Sequence, residues 1–246
     1  MTVRSTDSVH CVSTVPAAFA AAIADPVRPL LTWYDDASGE RTELSGATLN
    51  NWVAKTANLL GDGCGLGTGD VAAVRTPPHW QTAAIYLGVW TAGLAVTHSA
   101  SSSPDAAFLM PDADAVAPDS FAVGLHPLAL PVRDLRAGVA DWVSSARVHG
   151  DFFTGPSVAP SADALVDLPG GGSVTQSDLV ERAAQRASAL GLTAGSRVLI
   201  SIADHPQPLD WLVAPIVAGC SIVAVANADP SKLDDRAAVE RAARIP

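Results

Sequence analysis

Short β-prone runs alternating with helical runs along most of the chain predict an α/β protein of two similar doubly wound lobes with mainly parallel sheets. The stretch 164–227 (ALVDLPGGGSVTQSDLVERAAQRASALGLTAGSRVLISIADHPQPLDWLVAPIVAGCSIVAVAN) reads as strand, helix, strand, helix, strand. Right-handed crossovers normally join such strands in parallel. The second observation is an internal echo. A helix, Gly65-Leu66-Gly67-Thr68-Gly69, a strand, Pro78-His79-Trp80, a helix, Ala92-Gly93 and a strand in the first half are matched later in the chain. There the series is a helix, Gly191-Leu192-Thr193-Ala194-Gly195, a strand, Pro208-Leu209-Asp210-Trp211, a helix, Ala218-Gly219 and a strand. The expected lobes are 1–155, with an N-terminal helix and hairpin, and 156–246, or one compact domain built from both.

The elements follow in order. Val15, Phe19 and Ile23 fall four apart, one face of a helix that Asp25-Pro26 stops. PLLTWY (29–34) and ERTEL (40–44) flank a reversal rich in Asp, Ser and Gly, which predicts a hairpin. Ser45 is placed to accept from the free N–H groups of a helix whose apolar face is Leu49, Trp52, Val53, Thr56 and Leu60. The glycines of 61–70 end it. A strand at 71–74, a helix at 79–91 and a strand at 94–97 complete the first copy.

Periodicity fades from 99 to 161, where Pro, Asp and Ser are dense. Long surface loops are expected, with a strand admitted at 113–117 and a helix at 133–146. Thr175 and Asp178 have the side chains for a reciprocal helix cap, and Leu179, Ala183, Ala187 and Leu190 line one face up to Gly191. Strands at 197–202 and 221–226, a helix at 207–217 and a charged helix at 230–244 finish the chain.

Charge excludes several function classes. The net charge of −10 and the absence of a basic run disfavour nucleic acid and anionic membrane as partners. No stretch approaches the roughly 20 unbroken apolar residues of a membrane span. Residues 15–23 are apolar, but their spacing suits an amphipathic helix better than a signal peptide. Cys11, Cys64 and Cys220 are far apart and in no CxxC pairing, which points to a reducing cytoplasm rather than a disulfide framework or a zinc site.

Ligands of open parallel sheets bind at the carboxyl ends of strands, so the loops 76–79 and 203–208 are the first places for a site. His79, His205 and the neighbouring Asp204 are the candidates there. Each histidine reads more simply as a polar residue beside a proline turn. Gly170, Gly171 and Gly172 lie between a strand and a helix, where backbone N–H groups can cradle a phosphate. They lack GxxxxGK[ST] and any lysine within about fifty residues, and Asp167 puts negative charge beside them. A turn is the simpler account. No GxSxG, HExxH or paired Cys and His spacing occurs, so no catalytic or metal residue is named.

RTELS (41–45) and its following helix, GLGTGDVAAV (65–74) and VWTAGLAV (89–96) resemble the beginning of the adenylate-forming, AMP-binding acyl-CoA synthetase superfamily. SVTQSDL (173–179), GLTAGSRVLISI (191–202) and LVAPIVAGCSIVAV (212–225) resemble the segment after that family's phosphate loop. The resemblance implies an N-terminal, doubly wound scaffold, with ATP, AMP or CoA as possible ligands. LPGGGSV (168–174) stands in place of a loop that in the family is rich in Ser and Thr and ends in Pro-Lys-Gly. The family's adenine-contacting segment, ribose carboxylate and C-terminal domain with its catalytic lysine are expected to be absent, since the sequence stops at Pro246. The expected protein is a degenerate relative, without cofactor, that binds a small molecule or a protein. A half-enzyme completed by a separate chain, or an unrelated enzyme using the strand-end loops, are the alternatives.

Overall fold

The computed structural model describes residues 12–246; Cys11 lies outside them. Helix α1 (Val15–Ala22) is capped by Thr14, whose hydroxyl accepts from Ala17 N, and buries Val15 and Phe19. Strands β1 (Pro29–Asp35) and β2 (Glu40–Ser45) form the expected antiparallel hairpin. Ser45 caps α2 (Gly46–Asn58) by accepting from Thr48 N. A π turn, Leu59–Gly63, carries the helix past Gly61, so the first glycine of that run lies within it. Strand β3 (Val71–Val74), helix α3 (Trp80–Thr91) and strand β4 (Ala95–Thr97) follow as the pattern predicts.

The stretch 99–161 departs from expectation. It holds β5 (Ala106–Leu109), β6 (Asp119–Ala122), β7 (Val139–Asp141) and α4 (Trp142–Arg147). Residues 113–117 are loop rather than strand, with Ala113 and Ala117 packed on Ala73, Ala107 and Leu109. Of 133–146 only 142–146 are helical, as part of α4; the residues before them are loop, turn and β7. The physical reason is burial on both faces, which removes the alternation that marks a half-exposed strand. All four residues of β5 are buried, and a run that short carries no period.

Then come β8 (Asp163–Leu165), β9 (Val174–Thr175), α5 (Gln176–Ala189) and β10 (Arg197–Ser201). Thr175 caps α5 by accepting from Asp178 N. A π turn, Leu209–Val213, runs into α6 (Ala214–Val217), followed by β11 (Ser221–Ala226) and a 3-10 turn, Pro230–Lys232. The helix expected over 230–244 is only α7 (Leu233–Glu240); Arg241 takes a left-handed conformation, and β12 (Ala243–Arg244) pairs with β10.

Two largely parallel sheets result, ordered β12-β10-β11-β1-β2 and β7-β6-β5-β3-β4-β8-β9. Among the described residues only the hairpin β1–β2 and the pair β8–β9 are antiparallel. The stretch 164–227 is therefore not one βαβαβ unit, because β8 pairs with β4 while β10 and β11 lie in the other sheet. The hairpin β1–β2 crosses the other way and joins β11, so a boundary at 155/156 does not separate the sheets. Leu30, Leu31, Thr32 and Trp33 are all buried, and a strand covered on both faces belongs inside a sheet with a neighbour on each edge.

The echo is geometric. The pairs β3–β4 and β10–β11 are parallel, with Val71 opposite Ala95 and Arg197 opposite Ser221, the same separation along the chain. Ala95 N donates to Asp70 O at 3.0 Å, and Ser221 N to Ser196 O at 2.9 Å. Gly93 and Gly219, which precede β4 and β11, have φ of +89° and +71°, a region that costs glycine least.

Helix α3 touches β1 of one sheet and β3 and β4 of the other. It is buried on every side from Trp80 to Trp90, as its position between the sheets requires. At Gly88 it meets α2 so closely that an added Cβ would stand 2.6 Å from Thr56 Cβ.

Candidate functional site

A cavity of about 430 Å³ opens where the carboxyl ends of β3, β4, β8 and β10 converge. Val74 and Thr76 come from the end of β3. Thr82, Tyr86 and Trp90, spaced by four, present one face of α3 to it. Leu165, Leu168 and Pro169 come from β8 and the turn after it, Leu179 from α5, and Gln207, Leu209, Trp211 and Val213 from the segment after β10. Parallel sheets place side chains here because their helices begin at this end.

The polar groups are few. The Tyr86 hydroxyl is 2.6 Å from His98 Nε2, and the Tyr86 ring stacks on Trp90 with centroids 5.5 Å apart. Thr82 donates to Pro77 O at 2.7 Å and stands 3.0 Å from Thr76 Oγ1. Trp90 Nε1 donates to Ala164 O at 2.9 Å. Trp211 Nε1 is buried and has no hydrogen-bond partner among the described residues.

Burial pushes the Tyr86 phenol well above its ordinary value. His98 sits at the mouth, and the desolvation of its packed side pulls its pKa down from 6.5. Both effects disfavour the charged forms, so the pair is neutral at pH 7. Among the described residues no lysine or arginine lines the cavity. The arrangement suits an apolar molecule with one hydrogen-bonding group.

The two loops named from the sequence reach the cavity through Thr76, Pro78, Pro206, Gln207 and Pro208, but the candidate side chains lie elsewhere. His79 is buried at the N-terminus of α3, where its Nδ1 accepts from Gln81 N at 3.2 Å. Its Nε2 is 3.4 Å from Glu40 Oε1, and its ring meets Trp33 edge-on at 5.2 Å. His205 is also buried, with Nε2 2.9 Å from Pro246 O and Nδ1 4.0 Å from Asp210 Oδ2. Both histidines hold elements together rather than face the cavity. Asp204 is exposed in the turn after β10.

Gly170, Gly171 and Gly172 form an exposed turn between β8 and β9, with φ of +91°, +86° and +95°. Gly171 N donates to Leu168 O at 2.7 Å, closing the turn on itself. Their neighbours Leu168 and Pro169 reach the cavity; the glycines do not line it. His98 and Tyr86 lie outside those loops. His98 directly follows β4, so the strand-end rule that selected His79 and His205 applies to it equally.

No group of three or more His, Cys, Asp or Glu able to hold a metal occurs among the described residues. Nor, among them, is any helix long and apolar enough to cross a membrane. Cys64 and Cys220 are free thiols.

No family model matches the chain. A protein of Mycobacterium tuberculosis (strain ATCC 25618 / H37Rv), described as a TIGR03089 family protein, is 39% identical over 247 residues, covering 90% of this chain and 93% of that one. Among solved structures, the Brucella canis acyl-CoA synthetase superposes with a TM-score of 0.70 at 16% identity, covering 93% of this chain and 45% of its own. For the Mycobacterium tuberculosis fatty acyl CoA synthetase the values are 0.67, 13%, 94% and 48%. For the L. pneumophila fatty acyl-adenylate ligase, solved with acyl adenylate and pyrophosphate, they are 0.67, 12%, 94% and 43%. The fold is thus that of one part of adenylate-forming enzymes, and the chain spans less than half the length of these solved proteins.

Proposed function

The chain belongs to the TIGR03089 family, and we propose that it is a small-molecule-binding protein built on the adenylate-forming scaffold and without adenylation activity of its own. The observation that carries the proposal is the strand-end cavity, mainly apolar, with no lysine or arginine in its lining among the described residues and with the neutral Tyr86–His98 couple at its mouth. At about 430 Å³ it falls in the size range of sites for small organic ligands. The ligand is an acyl or aromatic molecule whose single polar group hydrogen-bonds to Tyr86 or His98. That class agrees with the acyl substrates named for the solved relatives.

The absence of catalysis rests on charge. Adenylyl transfer moves negative charge onto a leaving pyrophosphate, and catalysts stabilise it with cationic groups or metal ions. The turn 168–174 offers neither lysine nor arginine. Free cysteines and a net charge of −10 fit a cytoplasmic protein that does not bind nucleic acid.

Thermal shift with a medium-chain fatty acid, the matching alcohol and an aromatic acid tests the ligand class. A ligand at one hundred times its Kd stabilises by about 2.7 kcal/mol. The expected result is a rise in Tm with one of these, reduced in Leu209→Trp, which narrows the cavity. No shift with any, or an equal shift in the filled variant, removes the cavity as the site. Pyrophosphate exchange dependent on ATP and a carboxylate would overturn the non-catalytic part.

A further inference from the structure

Arg75 lies at the carboxyl end of β3, the central strand of the seven-stranded sheet. The strand order puts β4 on one side of β3 and β5 on the other. The chain leaving β3 runs to β4, and the chain leaving β5 runs the opposite way to β6, so the crevice between β3 and β5 is a topological switch point. Arg75 N donates to Phe108 O of β5 at 2.9 Å, which fixes the residue at that crevice. Val74 and Thr76 line the cavity on the inner face. Arg75, between them, projects to the other face, as alternation along an extended chain requires.

The guanidinium is poorly matched there. One Nη2 bond reaches Ser99 O at 3.1 Å, while Nε is buried without a partner. No carboxylate among the described residues pairs with it; Asp167, on the turn after β8, is engaged by the hydroxyls of Thr97 and Ser102. A guanidinium stays charged at any working pH, and leaving a buried donor unmade is costly. A planar fork in this state matches an oxyanion, which can take two parallel N–H bonds.

We propose that Arg75 forms a second ligand site, independent of the inner cavity, that holds the phosphate or carboxylate group of a small molecule in the β3–β5 crevice.

The test compares Tm of the wild type and Arg75→Gln in sodium phosphate, sodium acetate and sodium chloride at equal ionic strength. A shift above chloride in the wild type, with affinity weakened about tenfold or more in Arg75→Gln, supports the site. Phosphate alone giving the shift identifies a phosphorylated ligand; acetate giving it as strongly identifies a carboxylate. Equal shifts in both proteins, or none above chloride, overturn the proposal. Should Arg75→Gln not fold, Arg75→Lys and amide shifts of the wild type decide: phosphate must perturb Arg75 and Ser99, and perturbation elsewhere only overturns it. The fatty-acid shift is retained in the variant, since that ligand sits on the opposite face; the two sites therefore fail or stand separately.

Discussion

The Tyr86 hydroxyl stands 2.6 Å from Nε2 of His98, tying the central helix α3 to the chain that leaves β4. This bond puts the main polar feature of an apolar cavity at its mouth, and both partners resist ionisation. Tyr86 is held protonated by burial and His98 is biased toward its neutral ring.

The pH dependence follows from the direction of the His98 shift. Its folded pKa lies below the ordinary 6.5, so between those values the unfolded chain binds more protons than the native one. Stability from His98 is therefore complete above pH 6.5 and is lost as pH falls toward the folded pKa. An NMR titration should give a His98 midpoint below 6.5, and His98→Gln should flatten the loss of stability in this range. A midpoint above 6.5 would contradict the desolvated mouth.

Glu240 supplies a second, more acidic dependence. Burial works against its carboxylate, but hydrogen bonds from Tyr34, Arg197 and Arg41 outweigh it and hold its pKa down to about 2. Arg197 Nη2 reaches Glu240 Oε2 at 2.7 Å, and Arg41 Nη2 reaches Oε1 at 3.0 Å. A depressed carboxylate stabilises above its unfolded pKa, here 4.5, and that contribution disappears as pH falls through about 2. Hydrogen exchange should show α7 loosening over that window in the wild type. Glu240→Gln should show the loosened helix already at pH 7.

The same elements show what the sequence could and could not reveal. The hairpin β1–β2, the caps Ser45 and Thr175 and the paired glycines were legible because local chemistry decides them. Gly93 and Gly219 need positive φ wherever the chain goes next. Sheet membership was not legible. That Leu31 pairs with Ile222 while Leu165 pairs with Val96 depends on which sheet edge each strand reaches, and no period in the sequence encodes it. The cavity was legible only by position. The strand-end rule led to His79, His205 and Asp204, while packing turned Tyr86 and His98 toward the opening and used the other two histidines as braces.

His79 as a brace has a measurable signature. Its Nδ1 caps α3 through Gln81 N and its ring packs against Trp33. His79→Ala should cost about 1–2 kcal/mol from the cap, with further loss from the aromatic contact. His79→Asn, which keeps an acceptor at the cap, should recover part of it. Fatty-acid binding measured by calorimetry should be unchanged in both, whereas a large loss of affinity without loss of stability would make His79 a ligand contact.

The packing of α2 on α3 gives the sharpest structural test, because it turns on one absent atom. A Cβ at position 88 would stand 2.6 Å from Thr56 Cβ and 2.8 Å from its Cγ2. Thr56 is unable to rotate away freely: its Oγ1 donates to Trp52 O at 2.8 Å and accepts from Trp142 Nε1 at 3.3 Å. In an exposed helix Gly→Ala would stabilise by roughly 1 kcal/mol, since alanine loses less backbone freedom on folding. Here overpacking opposes that gain and costs about 1–3 kcal/mol. Gly88→Ala should therefore lower the urea midpoint with the slope unchanged, and a stabilised variant would mean that Thr56 moves aside more easily than its hydrogen bonds to Trp52 and Trp142 allow.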